Sequence, residues 1–234
     1  MQTILHKANT RGHFNHGWLN THHSFSFAHY YDPDRVNFGA LRVLNDDIIH
    51  PGEGFGRHPH DNMEIITIPL EGGVLHRDSM GNEEIIKAGE VQVMSAGTGI
   101  FHEEYNASKE SHLSLLQIWI FPKEKNIKPT YDQVEFDKTG AFNQWQKLVT
   151  KDEEGTLHIH QDAQISRTFL SEGKTLEYSL KESSYGSYLF VIDGEVSVNG
   201  SKLGKRDAIG INNVGKFEIH AKKDAHILNI EVPE

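Results

Sequence analysis

The chain is 234 residues long, which suits one large domain or two small ones and leaves enough apolar residues for a core either way. It has no cysteine, so disulfides, thiolate metal sites, iron–sulfur clusters and a cysteine nucleophile are excluded and any metal must be held by N and O ligands. A formal net charge of −10, with Lys and Arg scattered, argues against direct binding of nucleic acid, which needs a dense cationic face.

The chain starts "MQTILHKANTRGHFNH", without the apolar core of a secretory signal, and no run of about 18 apolar residues follows anywhere. A soluble cytoplasmic protein is expected, with no membrane partner. Next comes "RGHFNHGWLNTHHSFSFAHYYDP", in which Phe25, Phe27, Tyr30 and Tyr31 alternate with small or polar residues. The alternation predicts a strand packed on a barrel rather than a substrate-stacking surface. His13, His16, His22, His23 and His29 have no spacing that makes them converge, and they are left out of any site.

From there strand signals dominate: "ALRVLND", "EIITIPLEG", "EVQVMSAG", "LSLLQIWIF", "TLEYSL", "YLFVIDGEVSVNG" and "HILNIEV". Each is short, β-branched or aromatic, and bounded by Gly, Asn or Asp. No long period of 3.6 competes, so an all-β sandwich or barrel is predicted, with at most short helices around "TYDQVEFDKTGAFNQW". The polar, turn-rich stretch from Lys123 to Glu154 is the candidate linker. "TIPLEGGVLHRDSMGN" and "LFVIDGEVSVNG" both read as strand, acidic residue, Gly72 or Gly194, then a second strand. This weak repeat predicts two similar β domains, residues 1–130 and, with the linker, 131–234.

The chemistry concentrates in "FGRHPHDNMEIITIPLEGG" and "SAGTGIFHEEYN". In a strand, residues i and i+2 share a face, so His58 and His60 can converge on one ion with bonds of about 2.0–2.1 Å. If the second segment is also extended, His102 and Glu104 share a face and Glu103 points away. Neighbouring strands would then offer three imidazoles and one carboxylate, a set suited to a divalent first-row metal. Gly52, Gly54 and Gly56 before the first pair, and Gly97 and Gly99 before the second, suit backbone that turns sharply. Glu64 competes for the fourth position, and parity and distance alone do not choose between it and Glu104.

"GEGFGRHPHDNMEIITIPLEG" closely resembles the first cupin motif, Gly-x5-His-x-His-x3-Glu, with Gly52, His58, His60 and Glu64 on pattern. "GEVQVMSAGTGIFHEEYN" resembles the second, with Gly89, Gly97, His102 and Asn106, although Ser95 stands where cupins prefer Pro. Four residues rather than two separate Gly97 from His102. These departures, with "RGHFNHGWLNTHHSFSFAHYYDP" and "LSLLQIWIFP", are similar to the pirin family. The likeness covers nearly all of the first 130 residues and is thinner beyond, where it rests on "HIHQDAQI" and the repeat.

What the resemblance implies is a bicupin of two tandem jelly-roll barrels, with a divalent transition metal held by His58, His60, His102 and Glu104 and with Glu64 outside that set. Iron is the first expectation; copper, manganese, nickel, cobalt and zinc accept the same ligands. Glu103 stands where the pirin pattern has Ser, and a bulge in the strand would let either carboxylate bind. The resemblance further implies quercetin 2,3-dioxygenase activity: the flavonol 3-hydroxyl is deprotonated, with Glu104 as ligand and base, and O2 cleaves the heterocycle with release of carbon monoxide. Phe55 and Met94 are expected near the bound ring. The alternatives are a non-enzymatic, metal-dependent redox regulator with a protein partner, or an isomerase using the ion as a Lewis acid.

The second domain is expected to bind no metal at an equivalent site, since "KESSYGS" falls where its His-x-His should lie. His158, His160, His220 and His226 are read as strand or edge residues.

Overall fold

Short runs of β-branched and aromatic residues broken by Gly, Asn and Asp favour strands joined by tight turns. The computed structural model, which describes residues 1–234, has twenty-two strands and two one-turn 3-10 helices, Ala8–Thr10 and Lys138–Ala141. The strands of the first half are β1 (Gln2–His6), β2 (Gly12–Asn15), β3 (Leu19–His23), β4 (Leu41–Ile49), β5 (Gly54–His60), β6 (Glu64–Glu71), β7 (Gly73–Asp78), β8 (Glu83–Lys87), β9 (Glu90–Ser95), β10 (Ile100–Asn106), β11 (Leu113–Ile120) and β12 (Thr130–Glu135). Those of the second half are β13 (Gln146–Thr150), β14 (Leu157–His158), β15 (Gln164–Leu170), β16 (Thr175–Ser179), β17 (Tyr185–Asp193), β18 (Val196–Val198), β19 (Ser201–Leu203), β20 (Ala208–Asn212), β21 (Lys216–Ala221) and β22 (Ala225–Pro233).

Each half pairs a seven-stranded sheet with a four-stranded one. The front barrel has the orders β12-β9-β6-β11-β4-β3-β2 and β5-β10-β7-β8; the back barrel has β1-β20-β17-β22-β15-β13-β14 and β16-β21-β18-β19. The two orders match position by position, which puts the sequence repeat on a structural footing. Gly72 and Gly194 sit at the same corner with φ of 79° and 92°. A Cβ at Gly194 would meet the Asp224 carbonyl oxygen at 2.1 Å, so only glycine fits there.

The barrels exchange edge strands. β1 precedes the front barrel but pairs antiparallel with β20 of the back one, from Gln2↔Asn212 to His6↔Ala208. β12, which precedes the back barrel, pairs with β9 of the front one, from Thr130↔Ser95 to Glu135↔Glu90. The candidate linker thus contains a strand of the front sheet, a 3-10 helix and β13 of the back sheet, and β1 covers an otherwise open edge of the partner sheet. The aromatic stretch around Phe25–Tyr31 is a loop rather than the expected strand, tied by the single bridge Phe27↔Tyr30.

The two large sheets pack on each other through a cluster of 25 buried apolar residues drawn from both, including Leu44, Ile66, Ile118, Ile165, Tyr188 and Leu228. Alternation along β6 and β11 sends Ile66, Ile68, Ile118 and Ile120 to this seam, so Ile65, Thr67, Gln117 and Trp119 face the front barrel's interior. Polar groups cross the seam as well. Arg11 Nη1 and Arg206 Nε each lie 3.1 Å from the buried Asp46 Oδ2. No helix is long and apolar enough to cross a membrane.

Candidate metal centre

β5 and β10 are neighbours in the small sheet, with His58 opposite His102 and His60 opposite Ile100. The pairing slips by one residue between His102 and Glu104, so Glu104 lies opposite Phe55. Gly54 permits this close crossing, since a Cβ there would sit 2.2 Å from the Glu104 carbonyl oxygen. Metal-binding atoms of His58, His60 and His102 all lie within 4.8 Å of one another. The same holds for a second, fully buried set made of His76, His102 and Glu104. The two sets share His102, and Glu104 enters only the second within that distance.

Hydrogen bonding and burial prepare the imidazoles as ligands. His58 Nδ1 lies 2.7 Å from the Gly56 carbonyl oxygen and donates to it, which leaves the Nε2 lone pair facing inward. That Nε2 is 2.9 Å from His102 Nε2. Two atoms each bonded at about 2.05 Å to one ion at a right angle would be about 2.9 Å apart, so the pair fits a shared cation. Burial, followed by the neighbouring His102 and His58, pushes His60 down to about 4. Burial and then His58 push His102 down to about 3.

Glu104 is 3 % exposed and is held by two side-chain donors, Gln117 Nε2 at 2.8 Å and Thr67 Oγ1 at 3.3 Å. Those donors belong to a polar rung across the inner face of the large sheet. His23 pairs with Asn45, Asn45 with Gln117, Gln117 with Thr67 and Thr67 with Gln92. Apolar patches flank the rung, one around Ile49, Val74 and Leu113 and the other around Ile65, Met94 and Ile100. A buried polar row of this kind is costly unless it is bonded or serves a ligand.

Alternation along β10 puts the other acidic candidate outside: Glu103 Oε1 accepts from Arg77 Nη1 at 3.3 Å on the surface. Glu64 is buried but shares the parity of Ile66 and Ile68, accepts from Ser95 Oγ at 2.6 Å, and takes part in neither convergent set. Burial raises its carboxyl above the usual range. A turn at Asn62, with φ of 44°, separates it from His60.

A cavity of about 410 Å³ opens beside the histidines, with His58, His60, Glu104 and Phe55 among its lining residues. Phe55 is where the sequence placed it. Met94 is not: it is fully buried among Ile65, Ala96 and Ile100, because its residue in β9 faces the end of the barrel beyond the rung. Phe27, set aside as packing, lines the cavity edge-to-face with Trp119 at 5.2 Å, and Trp18 makes a like pair with Phe55 at 5.2 Å. His23, Asn45 and Asp47 also line it. The signal for the last two was the polar run Asn45-Asp46-Asp47 within the strand "LRVLNDDII", in which Asn45 and Asp47 share a face. Burial pushes the Asp47 carboxyl up to about 7, against a hydrogen bond from Thr21 that lowers it. His76 had no sequence signal; it lies opposite Glu104 on β7, with Nε2 3.2 Å from Asp78 Oδ2.

The matched topology locates the corresponding positions of the back barrel. Counting from Gly72 and Gly194 through the pairings of β18, β21 and β16, His102 and Glu104 correspond to Phe217 and Ile219, and His58 corresponds to Tyr178. Leu180, whose N–H bonds the Gly215 carbonyl, stands for His60. The His-x-His counterpart therefore falls at the end of "TLEYSL" and not in "KESSYGS". All four residues belong to the apolar cluster of 16 that fills the back barrel.

Two jelly-roll barrels of matched topology on one chain, with histidines and a glutamate converging in the first, define a bicupin. A pirin profile matches residues 5–120, and a profile described as the quercetinase C-terminal cupin domain matches residues 148–232. The chain belongs to the pirin family. It is 46 % identical over 230 residues, 98 % of each chain, to a protein of Escherichia coli K12 named quercetin 2,3-dioxygenase. It is 42 % identical over 218 residues to a pirin-like protein of Caulobacter vibrioides, covering 92 % of this chain and 93 % of that one. Among solved structures, the bacterial pirin YhhW of Escherichia coli in complex with nickel(II) aligns with a TM-score of 0.94 at 45 % identity over 99 % of both chains. A quercetin 2,3-dioxygenase of Acinetobacter baumannii aligns at 0.79 with 21 % identity, covering 100 % of this chain and 86 % of that one, a likeness of fold alone.

Proposed function

We propose that the protein is a metal-dependent dioxygenase of the pirin type that opens the heterocycle of quercetin or a related flavonol with O2. The observation that carries this reading is the 2.9 Å approach of two inward-facing Nε2 atoms beside an aromatic-lined cavity. His58, His60 and His102 would hold a divalent ion, with Glu104 as the fourth ligand; the nickel(II) complex of the similar YhhW supports a divalent metal and leaves iron as an expectation. When bound, the ion supplies an open coordination position and, if redox-active, electron transfer between flavonol and O2.

The chain's own residues do the rest. Glu104 takes the flavonol hydroxyl proton on a carboxylate oriented by Gln117 and Thr67. Trp18, Phe27, Phe55 and Trp119 give the planar rings apolar contact and keep water out. Asp47, whose Oδ1 has no protein partner, holds a proton near neutral pH and donates it to a second substrate oxygen. The test is oxygen uptake by metal-loaded protein with quercetin. Uptake matched to flavonol loss, and cut at least about 100-fold in His58→Ala and Glu104→Ala, supports the reading. Equal turnover under strict anaerobiosis contradicts it and favours Lewis-acid chemistry.

A further inference from the structure

Away from the metal centre, a buried guanidinium stands without a carboxylate partner. Arg167, on β15, is 6 % exposed. Its Nε donates to Gln146 Oε1 at 2.8 Å and its Nη2 to the Phe136 carbonyl at 2.6 Å. Nη1 has no protein partner, and the side chain is in no ion pair. The one carboxylate felt at the guanidinium is Asp137, which accepts with both oxygens from Thr139. A buried guanidinium bonded only to neutral acceptors leaves its charge unanswered, which costs stability unless a ligand supplies the counter-charge.

Arg167 lines a cavity of about 360 Å³ between the two barrels, walled by Ile68 and Pro69 of the front one and Ile192 and Leu228 of the back one. Lys138, which has no ion-pair partner, and Arg206 line it too. The acidic residues of the lining are Glu71, Glu90 and Asp193; Asp193 pairs with Lys205 at 3.4 Å, and Glu90 accepts from the Lys87 backbone. Phe169 and His226 stack at 4.3 Å and 24° along one wall, with the guanidinium 5.7 Å from the Phe169 ring. Burial, then the nearby Arg167, Lys138 and Arg206, hold His226 down to about 4, with Asp193 opposing them.

We propose that the inter-barrel cavity is a binding site for a small aromatic carboxylate, its anionic group on Arg167 Nη1 and Lys138 and its ring against the Phe169–His226 wall. A guanidinium with free N–H groups recognises a carboxylate by charge-assisted hydrogen bonds, and clefts between domains commonly serve as ligand sites. The site is independent of the metal centre and of the activity proposed for it.

Benzoate and its neutral isostere benzamide are the probes, titrated calorimetrically and by thermal shift into metal-free full-length protein carrying His58→Ala, so that no ion in the front cavity can hold the carboxylate; the Arg167 and Lys138 variants separate binding between the barrels from binding in the front cavity. Benzoate is expected to bind with one-site saturation and raise Tm, and benzamide to bind at least about tenfold more weakly. Arg167→Lys and Lys138→Ala should each weaken benzoate, the first by tenfold or more. Lys138 is exposed, so its loss leaves the fold intact should Arg167 variants prove unstable. Equal binding of benzoate and benzamide, or undiminished benzoate binding in Lys138→Ala, overturns the proposal.

Discussion

The two barrels share one strand order and differ in what fills them. In the back barrel, Tyr178, Leu180, Phe217 and Ile219 close the interior as part of a 16-residue apolar cluster. In the front barrel the matching positions are His58, His60, His102 and Glu104, and a polar rung from His23 to Gln92 runs beneath them. Topology therefore does not create the site. The fold supplies inward positions at fixed register, and the side chains decide whether those positions become a core or a centre. The large sheets meet at the seam in both cases, so the front barrel can give its interior to polar groups while its stability comes from the shared core.

The largest expected effect comes from breaking the front cluster. His102→Ala removes an imidazole common to both convergent sets, and elemental analysis should find the bound ion lost. In the back barrel the matched change, Phe217→Ala, should leave metal content untouched and instead cost about 3–4 kcal/mol in denaturant unfolding, through a cavity where a ring was.

A smaller effect sharpens the role of the rung. Gln117→Ala removes the 2.8 Å donor to Glu104 and should weaken metal affinity by roughly 10–100-fold with little change in Tm, measured by competition with a chelator. Between the barrels, His6 at the end of the exchanged strand is held down to about 4 by burial, its Nδ1 2.9 Å from the Tyr188 hydroxyl. The folded state disfavours its protonation, so its stabilising contribution is full above pH 6.5 and is lost as pH falls toward 4. The loss is on the order of 3 kcal/mol at most. His6→Gln should flatten that part of the stability–pH curve. Smallest of all, Glu103→Ala breaks a surface pair with Arg77 and should leave metal content and Tm where they were.

The strands and the paired histidines were legible because both are local: alternation and i, i+2 spacing lie within one segment. The same alternation preferred Glu104 over Glu103, and the structure puts Glu103 on the surface and Glu104 in the cavity. What was not legible depends on register between distant segments. Phe27 reaches the cavity from a loop, His23 and Asn45 from strands aligned only by pairing, and Met94 is taken out of it by one step along β9. The reciprocal placement of β1 and β12 was hidden for the same reason, since nothing in five or six residues says which barrel they will edge.

The most direct measurement is metal stoichiometry per chain, by elemental analysis, for wild type, the double variant His58→Ala/His60→Ala and the single variant Glu104→Ala. One ion per chain in wild type, none in the double variant and a marked loss in Glu104→Ala is the expected result. Two ions per chain, or one retained when both histidines are gone, would contradict a single centre in the front barrel.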